Sequence, residues 1–356
     1  MHKLYIPPKK LIFLGGGGVY NRIVHYKVGD FMRKIRRRRE KRKKKIIIVS
    51  VFLFLIIMTS GYAAFSTNIF LNAKGNIKTK PIDIGGVDVP PVTEGDGLYE
   101  DEYEEGRYVY KGTDPNNYIM FNNELWRIIS KEADGTYKIV RNEVLLNRSF
   151  DTEGIRTTGY CSQGQAEING CNAWSSTAHM AGSPSEFRNG DYSGSVDDDS
   201  EMLTYLNGEY LNSITVNKDK IVNHDYGIGT VEWDNTDLAA QTAGENSYKW
   251  NGNIGLISVS DYIKANSNKE TCGTLSKNSS SYYTCKNTNW MYIGGTNWWT
   301  LSPYTGYSYL VWNANLGGYL SYDGARYSRG VRPAVYLTSS LTLSGSGTKN
   351  EPFIIG

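Results

Sequence analysis

Histidine is scarce in this chain: there are four in 356 residues, and only His179 and His224 lie beyond the basic amino end. Cysteine is equally rare, with four, and none stands in a C-x-x-C pair. Zinc sites draw on clustered Cys and His, so the sequence argues against zinc, and we expect no metal and no cofactor. The signatures of several enzyme classes are missing too: G-x-S-x-G, H-E-x-x-H, the P-loop and G-x-G-x-x-G do not occur. His179 and His224 are isolated and read as satisfied polar residues rather than bases. Paired-carboxylate hydrolysis stays open, because its two acids need no fixed spacing in sequence.

Basic residues are under-represented beyond the amino end. Residues 1–45 hold 16 of the 39 Lys/Arg and two of the 36 acids, which leaves 23 basic and 34 acidic residues, a net of −11, in 46–356. An acidic body argues against a nucleic-acid partner, which needs a basic surface. What the chain has in quantity is 27 Tyr, 8 Trp and 38 Gly, a composition for turn-rich structure rather than a helical bundle or a disordered chain.

The amino end is organised for a membrane. Ile46–Phe65 carries no charge over 20 residues, and as a helix it would span roughly 30 Å, one bilayer core. Directly before it, residues 33–45 hold eleven bases and one acid. Such a block stays cytoplasmic, so residues 1–45 read as a cytoplasmic leader, 46–65 as a single-pass transmembrane signal-anchor, and the remainder as extracellular. Gly61-Tyr62-Ala63 before Ala64 offers small residues at signal-peptidase spacing, so cleavage stays open; the length of the apolar run favours retention. Met32 opens an ordinary signal-anchor, and we expect translation to begin there rather than at residue 1.

Residues 66–105 read as a flexible acidic stalk. Pro81, Pro90, Pro91 and four glycines break any periodicity, and Glu94–Glu105 packs seven acids into twelve positions. The alternative for Ile82–Val89 is an ordered edge strand. Beyond it, 106–356 is long enough for one large domain. Tyr118–Phe121 and Glu124–Ile129 flank Asn122-Asn123 as a hairpin, and Asp134-Gly135 turns the chain into Thr136–Arg141. Leu203, Leu206, Tyr210 and Leu211 follow a helical period, and a second helix could start at Ser258 or Ser260. Strands at both ends with helices between them give α+β. Asp197-Asp198-Asp199 suits calcium or a helix start, and the helix start is the stronger reading. Cys161, Cys171, Cys272 and Cys285 are even in number and outside the membrane, so disulfides are expected, with three connectivities open.

The carboxyl-terminal third is the most informative. Trp290–Leu337 holds four tryptophans and eight tyrosines among Gly, Ser, Asn and Asp. Tyrosine offers large rigid contact area, and its small neighbours adapt their hydrogen bonds, which is the chemistry of a recognition surface. The candidate ligand-binding residues are Tyr304, Tyr307, Tyr309, Asn313, Asn315, Tyr319, Tyr322, Asp323 and Tyr327. Trp126, Trp299, Arg332 and Pro333 are expected as scaffold, with Arg332 holding a carboxylate or backbone carbonyls inside a closing strand, Val331–Leu337.

Trp299-Thr300-Leu301-Ser302-Pro303 followed by Gly330–Leu337 resembles the carboxyl half of C-type-lectin-like bacterial domains. Formylglycine-generating enzymes and the variable proteins of diversity-generating retroelements share that architecture. The whole of 106–356 resembles an uncharacterised domain of Firmicute and mollicute-like surface proteins. The shared motifs are Trp126-Arg127-Ile128-Ile129, Tyr205-Leu206-Asn207, Ser260-Asp261-Tyr262, W-T-L-S-P and R-P-A-V-Y-L. The resemblance implies a C-type-lectin-like α+β domain. The reading it supports is a membrane-anchored surface protein that binds a protein or glycan ligand. A structural envelope or matrix component and an extracellular enzyme of the formylglycine-generating fold are the alternatives. The enzyme is less favoured, because Cys272 and Cys285 do not align with that enzyme's copper-binding pair.

Overall fold

Asn122 and Asn123 turn a two-residue hairpin with both residues at positive φ, 53° and 59°, the left-handed geometry that matches strand twist. Asparagine tolerates that region better than other non-glycine residues, which is why the pair sits there. The computed structural model describes residues 80–152, 169–176 and 198–356, with the isolated positions Arg36 and Ser50. Its strands, in chain order, are β1 (Ile82–Ile84), β2 (Val87–Val89), β3 (Gly97–Glu100), β4 (Tyr108–Lys111), β5 (Tyr118–Phe121), β6 (Glu124–Lys131), β7 (Tyr137–Arg141) and β8 (Leu146–Ser149). Then come β9 (Ile221–Val222), β10 (His224–Gly227), β11 (Lys249–Gly252), β12 (Ile254–Gly255), β13 (Trp298–Pro303), β14 (Leu310–Ala314) and β15 (Leu320–Gly324). The last are β16 (Ser328–Val331), β17 (Ala334–Leu337), β18 (Leu343–Ser344) and β19 (Phe353–Ile355).

A ten-stranded sheet runs β12-β17-β7-β6-β5-β19-β18, with β3, β4 and β9 attached at its sides. A five-stranded sheet runs β15-β14-β13-β16-β8, and β1–β2 and β10–β11 are separate hairpins. Side chains alternate along β6 and β7, so both faces of the large sheet are covered. Ile128 and Ile139 enter one buried cluster with Trp126, Trp299 and Val335, while Ile129 and Val140 enter another with Trp298, Trp312 and Ala334. The expected closing strand is two strands. β16 ends at Val331 in the small sheet and β17 begins at Ala334 in the large one. Arg332-Pro333 makes the crossing, since proline has no N–H to continue a ladder. Arg332 lies over the Trp298 ring at 4.6 Å and donates to the carbonyls of Arg141 and Met291, each at 3.0 Å.

This architecture corrects the expected C-type-lectin-like α+β domain. The described residues are mostly β-sheet, and their longest regular helix is the eight-residue Leu238–Glu245. The predicted helix at 203–211 exists, capped by Ser200, but it passes through a π-helical turn at Leu206–Tyr210 and ends at Ser213. Its Asn, Gly and Ser content limits it to a short bridging piece. No described helix is long and apolar enough to cross a membrane. Apart from Arg36 and Ser50, the leader and the apolar run 46–65 lie outside the described residues, as do Cys161 and His179.

The stalk boundary also moves. Within the described stretch from Lys80, residues assigned to the stalk form β1 to β3. β3 pairs with β4 from Gly97↔Lys111 to Glu100↔Tyr108, and Leu98 is fully buried. Acids that would repel one another in an isolated tail are taken up by cations far along the chain.

Candidate functional site

β14 and β15 pair with Trp312 opposite Tyr322, and Val311 opposite Asp323. Neighbouring residues on a strand face opposite ways, so the predicted binding residues divide between the two faces of the sheet. Asn313 and Asp323 share one face, joined by a 3.0 Å hydrogen bond from the Asn313 amide. Arg329 closes the same carboxylate at 2.7 Å and lies 5.5 Å from the Tyr327 ring. Asn313 is fully buried, so it supports structure there rather than meeting solvent. Asn315 shapes the turn into β15, accepting from the Gly317 amide at 2.8 Å. Tyr319 packs instead on Tyr282, with ring centroids 5.1 Å apart. Tyr309 gives its carbonyl to the Ala325 amide at 2.8 Å.

The other face gathers an aromatic platform. Tyr304 stands 4.5 Å from Tyr322 and 5.4 Å from Trp312, with Tyr307 behind it at 5.6 Å. Across Trp312 lies Trp233, parallel to within 7° at 5.8 Å, and Tyr322 meets both indoles edge-on at 5.6 and 5.7 Å. Trp312 and Tyr304 are buried, whereas Trp233 is 41% and Tyr322 36% exposed. The upper surface is therefore one indole and one phenol fixed on a buried aromatic floor.

Trp233 sits in a loop, yet its position is well determined. Two residues earlier, Val231 donates to the Pro303 carbonyl at 2.9 Å and accepts from Thr305 at 3.0 Å and from the Trp312 indole N–H at 3.1 Å. Four residues later, Asp237 caps the helix Leu238–Glu245, accepting from the Ala239 and Ala240 amides at 2.9 and 3.2 Å. The candidate set did not include Trp233. Its signal was local: a lone tryptophan between Glu232 and Asp234, with no apolar periodicity to bury it.

A second feature, unforeseen apart from its motif, is a buried charge cluster. The helix Val259–Lys264 starts with a capping box in which Ser258 and Asp261 exchange hydrogen bonds. Asp261 also receives Lys138 at 2.6 Å and Arg107 at 3.2 Å. Arg107 reaches Asp101 at 2.7 Å and Glu132 at 2.9 Å, while Lys264 bridges Asp101 and Glu104, each at 2.9 Å. Burial alone would raise the Asp261 carboxyl, but Lys138 and Arg107 hold it well below the usual carboxylate range. Burial raises Glu245, only partly offset by hydrogen bonds from Ser260 and Ser302.

Two neighbouring carboxyls with oppositely displaced pKa values are an acid–base pattern. The geometry gives it little to act on. The cavity they border has a volume of about 50 Å³, enough for a few waters and too small for a sugar ring. Both oxygens of Asp261 are engaged by cations and the Ser258 amide. The cluster is best read as the joint that ties β4, β6 and β7 to the helix.

Cys272 and Cys285 form a disulfide across 13 residues, and Cys171 is disulfide-bonded too. Closing a loop of that length stabilises by about 3 kcal/mol in the chain-entropy model. Replacing Cys272 and Cys285 by serine should lower the urea midpoint, with a slope equal to or steeper than wild type's because the unfolded chain loses a cross-link.

A family model described as Domain of unknown function (DUF6273) matches residues 184–339. The matched stretch contains Trp233, Asp261 and β13 to β17 but not β1 to β8 or β18 and β19, so the folded unit extends past it at both ends. No curated protein and no solved structure matches the chain.

Proposed function

We propose that the chain is a membrane-anchored bacterial cell-surface protein whose extracellular β-rich domain binds a protein or glycan ligand through the platform of Trp233, Tyr322, Tyr304 and Trp312. The location rests on the sequence: eleven bases followed by a 20-residue uncharged run. The Cys272–Cys285 disulfide is consistent with an oxidising compartment. One observation carries the binding role. Trp233 is the exposed member of a parallel indole pair, a costly side chain to leave in water unless something covers it.

The test is a glycan and protein array probed with the full chain and with Trp233→Ala. Truncating a central aromatic anchor costs about 2 kcal/mol or more, roughly a 30-fold loss of affinity. Binding that survives both Trp233→Ala and Tyr322→Ala would end the proposal.

A further inference from the structure

The platform's size and chemistry narrow its ligand, on the premise that it is the binding face. We propose that it takes an uncharged saccharide, with one pyranose ring stacked on Trp233 and its hydroxyls directed to Glu232 and Asp234.

The small exposed aromatic area and its acidic neighbours favour a small ligand over a protein partner. Trp233 and Tyr322 are 41% and 36% exposed, so with aromatic side chains of about 150–250 Å² they offer on the order of 200 Å² between them. A stable protein interface buries about 800 Å² on each side and excludes acids from its centre. Here the exposed residues around Trp233 in sequence are Glu232, Asp234, Thr236 and Asp237, three of the four acidic. One flat indole matches one sugar ring: apolar C–H groups on the ring's face, hydroxyls at its rim.

The carboxylates supply the second half of the match. Glu232 and Asp234 flank Trp233 in sequence, are exposed, and have no ion-pair or side-chain hydrogen-bond partner among the described residues. A free carboxylate accepts from a hydroxyl in a charge-assisted hydrogen bond, which is stronger than a neutral one. Asp237 is already committed to its helix cap. The same two negative charges repel uronic acids, sulfates and phosphates, which leaves uncharged sugars as the class. The ring is held in place before binding by Trp312 and Tyr322, so little side-chain freedom is lost on contact.

The experiment titrates the detergent-solubilised full chain with uncharged hexasaccharides of glucose, N-acetylglucosamine and mannose, and with polygalacturonate, following tryptophan emission and heat of binding. The expected result is saturable binding of at least one uncharged hexasaccharide with a Kd below about 1 mM. Trp233→Ala should weaken it more than 10-fold, and Glu232→Gln with Asp234→Asn about 3- to 10-fold. Ile354→Ala, at an exposed position on β19 of the large sheet, should leave it within 2-fold. Polygalacturonate should not bind wild type.

No uncharged saccharide bound, or polygalacturonate bound more tightly, would overturn the saccharide assignment. If a protein hit on the array still required Trp233, the platform reading would stand while this assignment fell. Saccharide binding indifferent to Trp233 would overturn both.

Discussion

Asp261→Ala should destabilise the folded unit by about 3–5 kcal/mol, the range for removing one partner from a buried ion pair. The carboxylate is the ion-pair partner of buried Lys138 at 2.6 Å, and its loss also takes one of the carboxylates around buried Arg107, which keeps Asp101 and Glu132. It also removes the reciprocal half of the capping box on the helix Val259–Lys264. Urea unfolding checks this directly. The acid limb of the stability profile provides a second reading. Burial works to raise Asp101 and Asp261, yet Lys264 and Arg107 lower the first, and Lys138 and Arg107 the second. A depressed carboxyl contributes stability above its unfolded value of about 4 and loses it as pH falls toward the folded value. Wild type should therefore lose stability steeply below about pH 4, and Asp261→Ala should lose less there because one such group is gone. Glu245 is raised, so its contribution has the opposite sign: greatest at low pH and declining as pH rises through its folded value.

Trp299→Ala should cost about 3–5 kcal/mol for a different reason, the cavity left by a large buried ring. Trp299 is completely buried, meets Phe150 edge-on at 6.1 Å, and donates its indole N–H to the Arg148 carbonyl at 2.9 Å. That bond ties β13 to β8 across the intervening β16, so truncation both opens a void and removes a tie within the small sheet. Trp233→Ala removes the same side chain from an exposed position and should change stability by far less. The pair separates the two uses of tryptophan in one domain: Trp299 variants should fail in unfolding, Trp233 variants in binding.

The sequence disclosed features governed by local rules. Asn122-Asn123 announced its hairpin because two positive-φ residues are what such a turn requires. Tyr304, Tyr307 and Tyr322 could be picked out by composition, and they meet at the platform. Asp323 was grouped with them although period-2 alternation already places it on the face opposite Tyr322. Features set by distant partners were hidden. Asp101 and Glu104 read as members of a self-repelling tail because Lys264, 163 and 160 positions away, is invisible from their surroundings. Fold class suffered similarly. The helical periods between β8 and β13 are real, but each gives only a short helix between strands, so the domain is mostly β-sheet rather than α+β.

Tryptophan accessibility tests the central claim most directly. Trp233 is 41% exposed, and the other seven tryptophans are 8% exposed or less. Acrylamide should therefore quench one tryptophan's share of the emission, and Trp233→Phe should abolish that share. Saturation with the tightest array ligand should shield it and leave the remaining emission unchanged. A ligand that binds while Trp233 stays as open to acrylamide as before would contradict the account.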